Sequence, residues 1–241
     1  MSLPTSSTTS RESLTDMPLG VEIPFKEVTR YMGYHGPFTL TPELEEQISK
    51  AIDNVSTQSH PRIVIKEYPI DIEGNIVTVH ADGEDVKLES ESLCRNLEGC
   101  RGAMLLAATI GPASDMLVRR ASIKSAAEAS IYQAAGAAAI EAFLDDMNDK
   151  LKSEYEARGM FLRPRFSPGY GDLKLDRQKD WFRLLDISKQ IGVELTDSLL
   201  MVPTKSVTAL IGIGFDPSKM QCHGCSACNN RDTCEYSKER A

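Results

Sequence analysis

The sequence predicts an α+β fold, a twisted antiparallel sheet with helices packed on it. Three observations carry this. Residues 61–90, PRIVIKEYPIDIEGNIVTVHADGEDVKLES, are rich in Ile and Val and alternate apolar with polar, the period of half-buried strands. Gly74-Asn75 and Gly83-Glu84 divide that block as hairpin turns would. A helical pattern then fills the chain from Pro112 to about Arg158. Strands and helices therefore come in blocks, not in strict βαβ alternation.

In chain order, residues 1–20 are Ser/Thr-rich with little to bury, and are expected to form a disordered leader. Glu27 to Met32 suit a short helix stopped by Gly33. TPELEEQISKAIDNV opens as a helix should: Thr41 can cap, Pro42 suits the first turn, and acids follow near the positive end of the dipole. Leu44, Ile48 and Ile52 give that helix its apolar stripe. After the strand block, ESESLCRNLEGC reads as a short helix ending near Gly99, and RGAMLLAATIG as a buried strand. The stretch from Pro112 to Arg158 is a helix in one or two pieces, with Gly136 a tolerable interruption.

FLRPRFSPGYGD then reads as a strand running into a loop, and LDRQKDWFRLLDISKQIG as one amphipathic helix. Trp181, Leu184, Leu185 and Ser188 lie on one side of it, and Gly192 near its end. In LTDSLLMVPTKSVTALIGIG, Thr196, Asp197 and Ser198 are expected to cap a helical turn ending before Pro203, ahead of a buried strand.

With 241 residues the chain can bury one sizeable core. A net charge of −8 and no Lys/Arg run make nucleic acid a poor partner. The alanine-rich stretch that includes Lys124 and Glu128 is too interrupted to span a membrane, and the first twenty residues lack the apolar centre of a secretory signal. The expected setting is cytoplasmic and reducing, where cysteines serve as thiols or metal ligands.

No nucleotide-binding glycine fingerprint and no G-x-S-x-G elbow are present. In RPRFSPGYGD, two prolines and two glycines bend a loop beside Arg163 and Arg165, and Tyr170 adds a flat face with a polar tip. A guanidinium beside exposed backbone amides is a good cradle for a carboxylate. The plain alternative, a strand-to-helix connection with surface arginines, is favoured by pattern alone. Glu141 borders the apolar stripe Ile140, Phe143, Leu144, Met147 and Leu151, with small residues one and two turns before it. It could face a ligand's cationic group or hydroxyls, or be a solvated flank.

Three pieces occur in order: RFSPGYG, the helix ending in Ile191-Gly192, and LTDSLLMVPTKSV. Together they resemble the activation (reactivation) domain of cobalamin-dependent methionine synthase, which carries R-x-x-P-G-Y, a helix ending I-G, and L-T-[DE]-S-x-x-M-x-P-x-x-S-V. The helix bearing Glu141 fits the one ahead of that loop, and RYMGYHG resembles a phrase near the start of stand-alone members. The resemblance implies S-adenosylmethionine binding. Arg165 would hold the ligand's carboxylate, the backbone around Ser167 and Gly169 would meet its adenine or methionine portions, Tyr170 would pack beside it, and Glu141 would make a polar or cationic contact.

The family's work is rescue. Cobalamin whose cobalt has been oxidised takes up an electron and then the methyl group of S-adenosylmethionine. Phe166 stands where the fused enzymes usually have proline, with Arg163-Pro164 two positions earlier, which leaves the carboxylate open between Arg165 and Arg163. GDLKL and ALIGIG also depart from the family. Nothing in the chain resembles the family's substrate- or cobalamin-binding modules. The resemblance thus implies a stand-alone activator. Its cobalamin would be carried by a partner, either a methionine synthase lacking its own activation domain or another corrinoid protein, with a separate electron donor.

The expected division is residues 1–20 leader, 21–216 S-adenosylmethionine-binding domain and 217–241 cysteine-rich tail. In the tail, Cys222, Cys225, Cys228 and Cys234 stand in C-x2-C-x2-C-x5-C, a spacing suited to an iron–sulfur cluster or zinc, with free thiols the remaining option. Cys94 and Cys100 read as core or helix-end thiols. Two other readings follow from the same features: a small metal or iron–sulfur redox protein acting through the tail, or a non-catalytic docking partner of a corrinoid protein.

Overall fold

The computed structural model describes residues 19–34 and 38–216. Its centre is an antiparallel sheet of six strands in the order β3-β2-β1-β4-β8-β5. These are β1 (Arg62–Glu73), β2 (Ile76–Ala81), β3 (Glu84–Glu89), β4 (Cys100–Thr109), β5 (Phe161–Leu162) and β8 (Ser206–Gly214). A two-stranded ribbon pairs β6 (Glu194–Leu195) with β7 (Met201–Val202). The helices are α1 (Phe25–Tyr31), α2 (Pro42–Gln58), α3 (Glu91–Asn96), α4 (Ala113–Lys124), α5 (Ala126–Ala157), α6 (Gln178–Leu185) and α7 (Ile187–Ile191), with a 3-10 turn at Leu175–Arg177. The class is α+β, as the block pattern predicts. No described helix is long and apolar enough to cross a membrane.

The sheet curls because β1 serves two neighbours in succession. Its residues Arg62 to Pro69 pair with β4, and Ile70 to Glu73 pair with β2. Pro69 stands at the handover, where its missing N–H costs the ladder little. Next to β1, β4 is buried along nearly its whole length because helices cover both its faces. Met104, Leu106 and Ala108 of β4 join Ile63 and Ile65 in one core, under α1, α2, α4 and α5. Ala103, Leu105 and Ala107 join the other core, under α3, α6 and α7. Packing in the first core already includes Leu19, inside the stretch expected to be leader.

Local signals explain most element ends. Thr41 Oγ1 accepts from Leu44 N–H at 3.3 Å, capping α2 as expected. The long helical stretch is two helices, split at Ser125, whose backbone is extended and whose side chain caps α5. Gly136 is no mere interruption: a Cβ there would collide with Ser114 Oγ and lie 3.0 Å from Lys205 Cε.

Two expectations need correction. The single amphipathic helix at 175–192 is a 3-10 turn followed by α6 and α7, broken at Asp186 in the left-handed region (φ 50°). The break leaves the Leu184 carbonyl outside any helical ladder, and Lys66 Nζ (2.9 Å) and Tyr68 OH (3.3 Å) donate to it. The helical turn expected at Thr196–Ser198 is the hairpin of the β6–β7 ribbon. There Thr196 N–H donates to the Leu200 carbonyl, the Thr196 carbonyl accepts from Leu199 N–H, and Leu199 takes a positive φ of 63°. Thr196 Oγ1 accepts from Leu200 N–H at 3.0 Å, so its hydroxyl serves the turn and not a helix.

Candidate functional site

The site lies where the sheet's last strand loses its neighbour. β5 pairs with β8 only at Phe161 and Leu162, and a single further bridge joins Phe166 to Leu210. Beyond that bridge the chain leaves the sheet as the loop Ser167–Leu173. Leu210 directs its N–H and C=O at Phe166. By the alternation of an antiparallel ladder, the backbone polar groups of Thr208 and Ser206 face the same side, where no strand follows. A cleft of about 360 Å³ runs along this free edge. Glu141 of α5 and Arg165 form one wall, Ser167, Pro168 and Tyr170 another, and Ser206, Val207 and Thr208 the floor. Gln178 at the start of α6, Leu175 and Met201 complete it.

The two arginines left open by the sequence part company here. Arg163 N–H bonds the Gly212 carbonyl and Phe166 N–H bonds the Leu210 carbonyl, so three steps on one strand match two on the other. That is a β-bulge, and Pro164, which has no N–H to give, sits inside it on the sheet edge. The extra residue turns Arg165 to the opposite face from Arg163. Arg163 is buried, packs near Cys100 and Leu97, and donates from Nη2 to the Glu98 carbonyl at 2.8 Å. It takes no part in the cleft.

Arg165 points toward α5. Its Nη2 donates to Glu141 at 3.1 Å and to Asp145 at 2.9 Å, while its Nη1 is buried without a hydrogen-bond partner. Glu141 and Asp145 are one helical turn apart and so share a face. Reasoning from the sequence overlooked Asp145, although its i, i+4 spacing from Glu141 was the available signal. Glu141 also lines a smaller recess of about 70 Å³ against α1, with Glu27, Arg30 and Tyr31. Burial, and then the Glu141 charge, push the Tyr31 phenol above its ordinary value.

Of the loop residues, Ser167 and Tyr170 line the cleft, and Tyr170 is exposed at its rim and meets Phe166 edge-on. Gly169 does not line it. It takes φ 93° in the turn behind, donates to the Leu173 carbonyl at 2.8 Å and packs on Leu175, so its contribution is to the loop's shape. Cys222, Cys225, Cys228 and Cys234 lie outside the described residues, and among the described residues no group of His, Cys, Asp and Glu is placed to hold a metal. Cys100 is buried, and burial raises its thiol to about 11; burial also raises Cys94. Cys100 thus sits in the core and Cys94 in α3, at the positions expected of core or helix-end thiols.

Residues 141–241 match the family described as vitamin B12 dependent methionine synthase, activation domain. The match begins at Glu141 and runs through the loop and the cysteine-rich segment. Among solved structures, the chain is similar to the one titled "Crystal Structure of the MetH Reactivation Domain bound to AdoHcy". The TM-score is 0.64 at 14% identity, over 88% of this chain and 83% of that one. No curated protein matches. The fold over most of the chain is thus that of the reactivation-domain structure, and the segment from Glu141 onward matches the activation-domain family.

Proposed function

We propose that the cleft binds S-adenosylmethionine and that the chain serves the reductive methylation of cobalamin carried by a separate corrinoid protein. Arg165 is the observation that carries this reading. A buried guanidinium nitrogen without a partner calls for an explanation. A small swing of the side chain would give that nitrogen a ligand carboxylate, in the paired geometry arginine favours. Glu141 and Asp145 would then face the ligand's cationic groups, and the free peptide edge of Thr208 would offer a donor and an acceptor to a base. At about 360 Å³ the cleft falls within the range of small-molecule sites, roughly 300–1,000 Å³. The neighbour solved with AdoHcy, which shares the adenosyl and amino-acid groups, supports the same ligand.

S-adenosylmethionine supplies a methyl group on sulfonium, and the chain's own residues only bind and orient it. Arg165 holds one end, Tyr170 flanks the cleft, and the exposed Leu175 in its lining, with the exposed Leu200 next in sequence to the lining Met201, offers an apolar surface to a partner. A corrinoid protein as that partner, and a cytoplasmic setting, belong to this proposal. Calorimetric titration with S-adenosylmethionine tests it: saturable binding supports it, and no heat with a folded protein rejects it. The C-x2-C-x2-C-x5-C spacing carries a separate proposal, that the tail holds zinc or an iron–sulfur cluster. Metal analysis of protein purified without air, repeated on Cys222→Ser and Cys225→Ser, tests that one; protein without metal rejects it.

A further inference from the structure

We infer that Asp172 is a positioning residue for the ligand, acting by tying the loop that carries Ser167 and Tyr170 to the start of α3. This rests on the reading of the cleft proposed above. The loop's internal bonds, Tyr170 N–H to the Ser167 carbonyl (3.0 Å) and Leu173 N–H to the Tyr170 carbonyl (3.0 Å), fix its turns but not its place on the molecule. Asp172 supplies that. Its carboxylate accepts from Ser90 Oγ at 2.5 Å, Glu91 N–H at 2.7 Å and Ser92 N–H at 3.1 Å, across 80 to 82 residues of sequence.

The need is reciprocal. A helix start leaves N–H groups without intrahelical partners. Ser90 Oγ accepts from Leu93 N–H at 3.0 Å, and Asp172 accepts from the two amides before it. The first three amides of α3 are thus satisfied by a short-range cap and a long-range one. Ser90 is itself held, since its N–H donates to the Asn75 carbonyl at 2.8 Å in the β1–β2 turn. The loop is therefore fastened, through Asp172 and Ser90, to the sheet. Gly171 sets the closeness of the contact: it adopts φ 54°, and a Cβ there would come within 2.9 Å of Ser92 Cβ. Released from α3, Ser167 and Tyr170 would keep their chemistry and lose their fixed position, which is what binding geometry depends on.

The test uses the full chain and three measurements: S-adenosylmethionine affinity by calorimetry, thermal unfolding without ligand, and amide hydrogen exchange. Wild type is compared with Asp172→Ala and with Thr41→Ala, which removes a cap from α2, remote from the loop. The expected result for Asp172→Ala is affinity about tenfold weaker and faster exchange at Gly169 and Leu173 with α5 unchanged. Thr41→Ala is expected to bind as wild type does. Binding by Asp172→Ala within twofold of wild type, or equal weakening in Thr41→Ala, overturns the inference. Failure of wild type itself to bind overturns the reading of the cleft and this inference with it, a result distinguishable because it appears before any substitution.

Discussion

Arg163 and Arg165, two positions apart, present their guanidiniums to opposite faces of the sheet edge. One donates to the Glu98 carbonyl beside α3 and the other to Glu141 and Asp145 on α5. The bulge at Pro164 separates them, and their substitutions should separate as well. Arg165→Ala is expected to weaken S-adenosylmethionine binding at least tenfold with little change in unfolding temperature. Arg163→Ala should bind normally but lose about 1–3 kcal/mol of stability, because the Glu98 carbonyl loses its donor. Calorimetry and denaturant unfolding of the two variants read this directly.

Glu141 should matter through its charge. Glu141→Gln keeps the shape of the wall but removes a carboxylate from Arg165, and is expected to weaken binding of the ligand several-fold while leaving the fold intact. Affinity equal to wild type would place Glu141 outside the contact surface.

The Gly136 contact is a packing constraint within a helix. Gly136→Ala would gain helix propensity of about 1 kcal/mol, yet its Cβ would be driven onto Ser114 Oγ and the Lys205 stem. Overpacking of this kind costs about 1–3 kcal/mol, so the net expectation is destabilisation. Burial lowers the pKa of Lys205, with Asp115 opposing the shift. The unfolded chain therefore holds that proton to higher pH than the folded one, and stability should rise as pH climbs through the folded pKa. Lys205→Met is expected to stabilise the protein at neutral pH and to remove that alkaline gain, both visible in thermal unfolding from neutral to alkaline pH.

His80 gives the opposite slope. Its ring is bonded to Asp85 at 2.8 Å and Asp71 at 3.0 Å, and these contacts, Asp85 first, raise its pKa. A raised folded pKa contributes stability that is complete below the unfolded value of about 6.5 and is lost as pH rises through the folded value. The group is exposed, so the effect is small, and His80→Gln should flatten the stability–pH curve through the neutral region.

Much of this was legible in the sequence because it is local. Thr41 capping α2 and the two glycine turns of the strand block each depend on residues within a turn of one another. RFSPGYG and LTDSLLMVPTKSV both supply residues that line the cleft: Arg165, Ser167, Pro168 and Tyr170 from the first, Met201, Ser206 and Val207 from the second. What stayed hidden is what tertiary contact decides. The bulge that turns Arg165 away from Arg163 exists only against β8. The break of the helix at Asp186 is sealed by Lys66 and Tyr68 from β1. Asp172 looks like any loop aspartate until α3 is placed beside it. The ribbon at Thr196–Leu200 used capping residues for a turn, and these two uses share one sequence signature.

The central claim is tested most directly by titrating the purified chain with S-adenosylmethionine in a calorimeter, with Arg165→Ala beside it. Saturable binding in the micromolar range that collapses in the variant is the expected result. A folded wild-type protein that takes up no ligand, or a variant that binds as tightly as wild type, would contradict it.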